Sequence, residues 1–284
     1  MPERTLARAH VRVSGAVSRH GDYLAALAPL LDPPDAAALR TYLLSNSGLP
    51  GPRGNLELAA AFADLAGPRA LDTALGETLA DWLTMSSDTA PTGDPREFLV
   101  FCALQALATA YAAADAANRE RIARLLRDAA GDARWRIREA AAMGLQRVGE
   151  ADPPSLRRIL DDWGEGATLP EQRAIVAALA HPPILDRPTA LLALDVAARI
   201  MAGVRSLDAA TRRTEEFRIL SKGLEYAISV FVAAAPAEGF ALLRELAEMD
   251  DRDVRRIVRS NLGKARIATP FPDRVAELLP LVGG

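Results

Sequence analysis

The segment GDARWRIREAAAMGLQRVGE, residues 131–150, places four arginines and a tryptophan around a small apolar stripe. A guanidinium is a permanently charged fork that pairs with carboxylate or phosphate, and an adjacent indole adds a stacking face. The segment therefore has the chemistry to hold an anion, a nucleic-acid backbone or an acidic protein surface. At about 100° per residue, Arg134 and Arg138 fall near one side of a helix while Arg136 points away. An arginine-lined groove would need contributions from several helices. Arg134 and Trp135 stand as candidate partner contacts.

A second cationic pattern lies near the C-terminus, where Arg252, Arg255, Arg256 and Arg259 follow at offsets of 3, 4 and 7 and form one stripe along a helix. Between Arg252 and Arg266 six bases stand against Asp253 alone. With so few acids nearby in the chain, the stripe reads either as a solvated face or as an anion-binding edge for phosphate or an acidic partner. The loop GLPGPRGNLEL adds Arg53, with Asn55 as the expected N-cap of the following helix. Backbone N–H groups and Arg53 could meet an anion there, but Glu57 in the first turn competes for the same positive end. The Lys-Ser/Thr of a phosphate-binding P-loop is missing, so a rigid helix–helix turn is the simpler reading.

Other chemistries find little support. His10, His20 and His181 have no metal-ligand spacing, although His10 and His20 could lie near each other, and no GxSxG, HExxH or paired CxxC occurs. We expect no metal, no cofactor and no catalytic residue. The single cysteine, Cys102, sits in an apolar run and reads as an inert core thiol. Trp82 and Trp163 each follow an aspartate and read as packing anchors.

Positioning these residues falls to helices. Half of the 284 residues are apolar and only 5% aromatic, with Ala and Leu dominant and no Val/Ile-rich alternating run. Pro, Gly and Asp clusters such as LDPPDAA, EADPPS and AHPPILDRP recur as stop and restart signals, giving all-α structure in helices of roughly 10 to 20 residues. Residues 214–234 read as one long amphipathic helix, with Phe217, Leu220, Leu224, Ile228 and Phe231 on one stripe. Residues 98–114 contain Gln105 and Thr109 and make a poor bilayer span but a good buried helix. The first residues lack a secretory h-region, so a cytoplasmic location without membrane insertion is the expectation. A net charge of −3 weighs against a surface that binds nucleic acid throughout, and eight acids between Gly54 and Leu99 oppose Arg69 and Arg96.

The two arginine segments share a pattern. Ile137-Arg138 is followed by Leu145, and Val254-Arg255 by Leu262 at the same offset, 117 residues later. Helices around Arg173 and Arg213 divide that interval into steps of 35, 40 and 42, and a period near 40 marks a helical repeat of about six or seven pairs. Asp132, Ile137, Arg138, Ala141 and Leu145 resemble the HEAT repeat, as do Val254, Arg255, Ile257, Asn261 and Leu262; the resemblance is specific over 119–181 and 237–266. It implies one domain over 1–284, a right-handed α-solenoid of HEAT-like helical pairs, with 1–95 degenerate or capping and 96–284 clearer. It further implies that second helices line a concave face, and that Arg138 pairs with Asp132 and Arg255 with Asp250 or Asp251. HEAT arrays serve mostly as binding surfaces, so the resemblance carries no activity. The leading expectation is a non-enzymatic interaction module that takes a protein or peptide on its concave face. The alternative is a DNA-binding or DNA-repair protein resembling the HEAT-like alkylpurine glycosylases, drawing on Arg134, Trp135, Arg138, Asp161, Asp162 and Trp163 in a basic cleft. An accessory subunit of an enzyme is a third reading. The charge of the concave face separates a nucleic-acid partner from a protein partner.

Overall fold

The computed structural model describes residues 19–164 and 166–283, so His10 and any proximity to His20 lie outside the described residues. Every named element among them is helical. In chain order these are α1 (His20–Leu31), α2 (Ala36–Asn46), α3 (Leu56–Ala66), α4 (Thr73–Leu83), α5 (Glu97–Ala110), α6 (Ala116–Ala130), α7 (Trp135–Ala151) and α8 (Pro153–Gly164). They continue with α9 (Leu169–Leu179), α10 (Arg187–Ser206), α11 (Glu215–Ala234), α12 (Pro236–Ala247), α13 (Arg252–Leu262), α14 (Ala265–Ala268) and α15 (Pro272–Leu278). None is long and apolar enough to cross a membrane.

The helix starts follow local chemistry. Asp35, Asn55, Asp115, Asp186 and Thr214 each accept a backbone N–H from the first turn of the helix they precede. Thr168 and Glu171 form a reciprocal capping box at α9. Each bond satisfies a donor that the helix cannot satisfy itself. Thr214 caps α11, so the long helix expected over 214–234 starts one residue later. The apolar run at 98–114 forms α5 and a following 3-10 turn, with Phe98, Cys102 and Gln105 all buried.

Packing follows chain order. Each odd-numbered helix from α1 to α13 lies against the next odd-numbered one, giving a row α1–α3–α5–α7–α9–α11–α13. Even-numbered helices cover that row, α6 and α8 on α7 and α10 and α12 on α11. One apolar cluster runs through the molecule from Leu27 to Val282. Small residues permit the close approach within it. A Cβ on Gly144 of α7 would meet Leu126 Cδ2 at 2.6 Å, and one on Gly239 of α12 would meet the Val232 Cα at 2.6 Å.

Arginines fasten the turns between pairs. Arg212 donates to both carboxylate oxygens of Asp251, at 3.1 and 2.7 Å, to Asp253 at 3.0 Å and to the Val204 carbonyl at 2.8 Å. Asp251 also caps α13. Asp251 thus belongs to Arg212, and Arg255 takes the exposed Asp250 at 3.3 Å. Arg138 donates to the carbonyls of Asp132 and Ala133, at 2.7 and 2.9 Å, while the Asp132 carboxylate is held by Arg134. The expected Arg138–Asp132 link therefore exists through backbone and not through the carboxylate.

The hydrogen bonds from Arg212 hold the Asp251 carboxyl below its ordinary range. Burial pushes the Asp132 carboxyl up, but the bonds from Arg134 outweigh it and the net direction is down. Depressed folded-state values stabilise the fold above the unfolded carboxylate value near 4, and that contribution is lost as pH falls below it. Thermal unfolding followed between neutral pH and about pH 3 should show Tm dropping below pH 4, with a smaller drop in Asp251→Asn. Gly239→Ala, which forces Val232 backbone aside, should cost about 1–3 kcal/mol. Gly203→Ala, in α10 with nothing within 4 Å of the added carbon, should stabilise by about 0.5–1 kcal/mol. Both are read by denaturant unfolding.

Candidate functional site

Three neighbouring members of the odd row, α3, α5 and α7, begin beside the loop that joins α2 to α3. That loop turns at Gly48, whose φ of 74° suits glycine, and closes with Asn55 N–H donating to the Ser47 carbonyl at 2.8 Å. Asn55 caps α3 as expected, and its amide also donates to Asn46 O at 2.9 Å and to the Tyr23 hydroxyl at 2.8 Å. The loop is thereby fixed from three sides, with Pro52, Arg53, Gly54 and Leu56 facing a cavity of about 320 Å³. Phe98 and Phe101 of α5 form one wall, stacked with centroids 6.2 Å apart. From α7 come Trp135, Arg136, Glu139 and Met143, whose spacing of one, three and four keeps them on one face of that helix. Leu56 is 51% and Trp135 42% exposed, unusual for residues of their size.

Beneath this cavity lies a buried ion pair. Arg136 Nη1 stands 3.2 Å from Oε2 of Glu97, a residue with no exposed surface. Glu97 Oε2 also accepts from Gly93 N–H at 2.9 Å, and Arg136 Nη2 donates to the Gly51 carbonyl at 2.7 Å. The Arg136 guanidinium lies 4.3 Å from the Trp135 ring centroid, so one cation joins the loop, the start of α5 and the indole of α7. Arg136 Nε and Glu97 Oε1 have no hydrogen-bond partner, and a buried polar atom left so costs about 1–3 kcal/mol. Glu139 is engaged by Arg173 of α9. Arg53 is exposed and, among the described residues, meets neither carboxylate nor carbonyl.

The other expected contacts are placed elsewhere. Arg134 is 3% exposed, holds Asp132 at 2.9 and 2.7 Å, and reaches the carbonyls of Met85 and Ala90 at 3.0 and 3.2 Å. It faces its own protein because a buried guanidinium must use its donors. Arg256 of the C-terminal stripe is held by Glu225, by Asp253 at 3.0 Å and by Ser221 at 2.7 Å. Arg259 donates to the Val282 carbonyl. Arg252 is exposed. The expected scarcity of acids beside this stripe does not hold, since Glu225 arrives from α11. No residue of α13 lines the aromatic cavity, so the structure brings together Arg53 and Trp135 but not the arginines of α13.

No protein-family model matches the chain, and neither the curated proteins nor the solved structures contain a match to it.

Trp82 and Trp163 are buried, as expected of anchors, and Cys102 is buried with its thiol pushed well above the ordinary value by desolvation. His20 lies 3.3 Å from Asp64 and His181 2.6 Å from Glu150. Among the described residues no group of three or more His, Cys, Asp or Glu is arranged to hold a metal. Sequence reasoning missed Phe98, Phe101, Leu56, Met143 and the Glu97–Arg136 pair. Its one usable signal was that Arg136 points away from Arg134 and Arg138.

Removing Arg136 strands a buried carboxylate. Arg136→Ala should cost about 3–5 kcal/mol, and Glu97→Leu/Arg136→Met should recover most of it. Urea unfolding of the three proteins checks this; a double variant no more stable than Arg136→Ala would show that the pair holds more than its own charges.

Proposed function

We propose that the two packed rows form a right-handed α-solenoid of HEAT-like pairs, and that the chain is a non-enzymatic interaction module taking a protein or peptide partner on its odd-helix face. Supporting the curved arrangement, Arg147 of α7 reaches Gln105 and Thr109 of α5, each at 3.2 Å, and continues to Asp64 of α3 at 2.9 Å. A side chain that crosses two helix–helix seams accords with a face that bends inward.

The observation that carries the reading is the cavity walled by Leu56, Phe98, Phe101, Trp135 and Met143. Exposed Leu56 and Trp135, gathered in a concavity floored by buried Phe98 and Phe101, are the kind of surface by which one protein anchors a side chain of another. The ionisable groups there suit recognition more than proton transfer. The guanidinium groups of Arg53 and Arg136 donate hydrogen bonds and accept none, and Glu97 and Glu139 are committed to ion pairs.

A DNA-directed role drew on Arg134, Trp135, Arg138, Asp161, Asp162 and Trp163. Arg134 and Trp163 are buried, and the α13 stripe is met by Glu225 and Asp253, which weighs for a protein partner. A cytoplasmic setting accords with a single cysteine.

Displayed libraries of random short peptides, selected on the immobilised chain, test the reading. Enriched peptides should bind Leu56→Ala/Trp135→Ala about thirtyfold more weakly, as expected for removal of central apolar anchors, with the helical circular dichroism of the chain unchanged. Binders indifferent to that double variant, or duplex DNA bound at physiological salt and lost in Arg256→Glu/Arg259→Glu, would overturn it.

A further inference from the structure

The cavity carries a charge imbalance that narrows its partner. At or beneath it lie four ionisable side chains, Arg53, Glu97, Arg136 and Glu139. Glu97 and Arg136 compensate each other, and Glu139 is matched by Arg173. Arg53 at the mouth is left as a cation without a counter-ion among the described residues. Glu57, the nearest acid in the chain, does not line the cavity, and its Oε2 accepts the Arg19 backbone N–H at 3.2 Å.

Beneath the lining, Arg136 Nε and Glu97 Oε1 both lack a partner, but both atoms are buried out of reach of a visiting group. A visiting group therefore meets apolar walls and, in Arg53, one side-chain charge without a counter-ion among the described residues.

Building on the interaction-module reading, we infer that the occupant is an acidic peptide segment of a partner protein, which inserts one aromatic or long aliphatic side chain between Phe98, Phe101 and Trp135. A carboxylate close to that side chain in the segment pairs with Arg53. A basic segment is repelled by Arg53, and a purely apolar one leaves its charge unanswered.

Two measurements test this. Iodide and caesium quench exposed indole from opposite charges, and Trp135 is the exposed member of three tryptophans. Measured against a free neutral indole, iodide should quench the wild type more favourably than caesium does, and the difference should shrink in Arg53→Gln, a substitution at an exposed residue that supports nothing else. Quenching by the two ions in the same proportion as for the free indole would overturn the positive mouth.

For the second, peptides enriched from the library should carry Asp or Glu near an aromatic or Leu. Exchanging those acids for Asn or Gln should weaken binding about fivefold, the size expected of a rim charge pair. On Arg53→Gln the two peptide forms should bind alike, and on Arg53→Glu the neutral form should bind better. Neutral or basic enriched peptides that still depend on Trp135 would overturn the acidic partner while leaving the interaction module standing. Peptides that ignore both Trp135 and Arg53, or no enrichment at all, would overturn both.

Discussion

A guanidinium keeps its charge wherever it is placed, so an arginine carried into an interior must be given acceptors there. Much of this molecule is arranged around that requirement. Arg134 closes the turn before α7 onto the carbonyls of Met85 and Ala90. Arg136 draws the Gly51 loop and the first residue of α5 together. Arg147 spans α5 and α3, and Arg212 ties the turn before α11 to the cap of α13. In each case acceptors distant in sequence are brought to one fork, and the register between successive helices follows from where that fork can reach. Apolar burial supplies the cohesion, but it has no direction. The arginines supply the direction.

The aromatic cavity is a product of the same arrangement. Arg136 turns inward to Glu97, and its guanidinium lies against the indole of Trp135, which is left at the surface. The Asn55 amide and the Ser47 carbonyl hold the loop that carries Arg53. A concavity fixed by buried polar bonds keeps its shape when empty, so a partner spends little binding energy on ordering it.

Local chemistry made the helices legible in the sequence. Asn55 was recognisable as a cap because a cap acts within three residues, and the stripe from Phe217 to Phe231 fixed one face of α11. Apolar composition marked residues 98–114 as interior. What escaped was the pairing across helices. Arg134 and Arg138 lie on similar sides of the helix, and only the folded turn decides that Arg134 takes the Asp132 carboxylate while Arg138 takes carbonyls. Counting acids along residues 252–266 could not reveal Glu225, which is 31 positions from Arg256. The cavity joins residues near 53, 98 and 135, and no periodicity within one helix encodes that meeting.

The bridge from Arg147 has a mechanical meaning. Because a single side chain crosses both the α7–α5 and the α5–α3 seams, neither seam can open without straining the same link. Helices α3, α5 and α7 therefore yield to an external pull as one stiff block. Beyond α7 the polar links join immediate neighbours, Glu139 to Arg173 and Glu225 to Arg256. There the row can give one seam at a time. Elastic deformation under load thus gathers toward α13, and the block that carries the cavity rides along with its helices in fixed register.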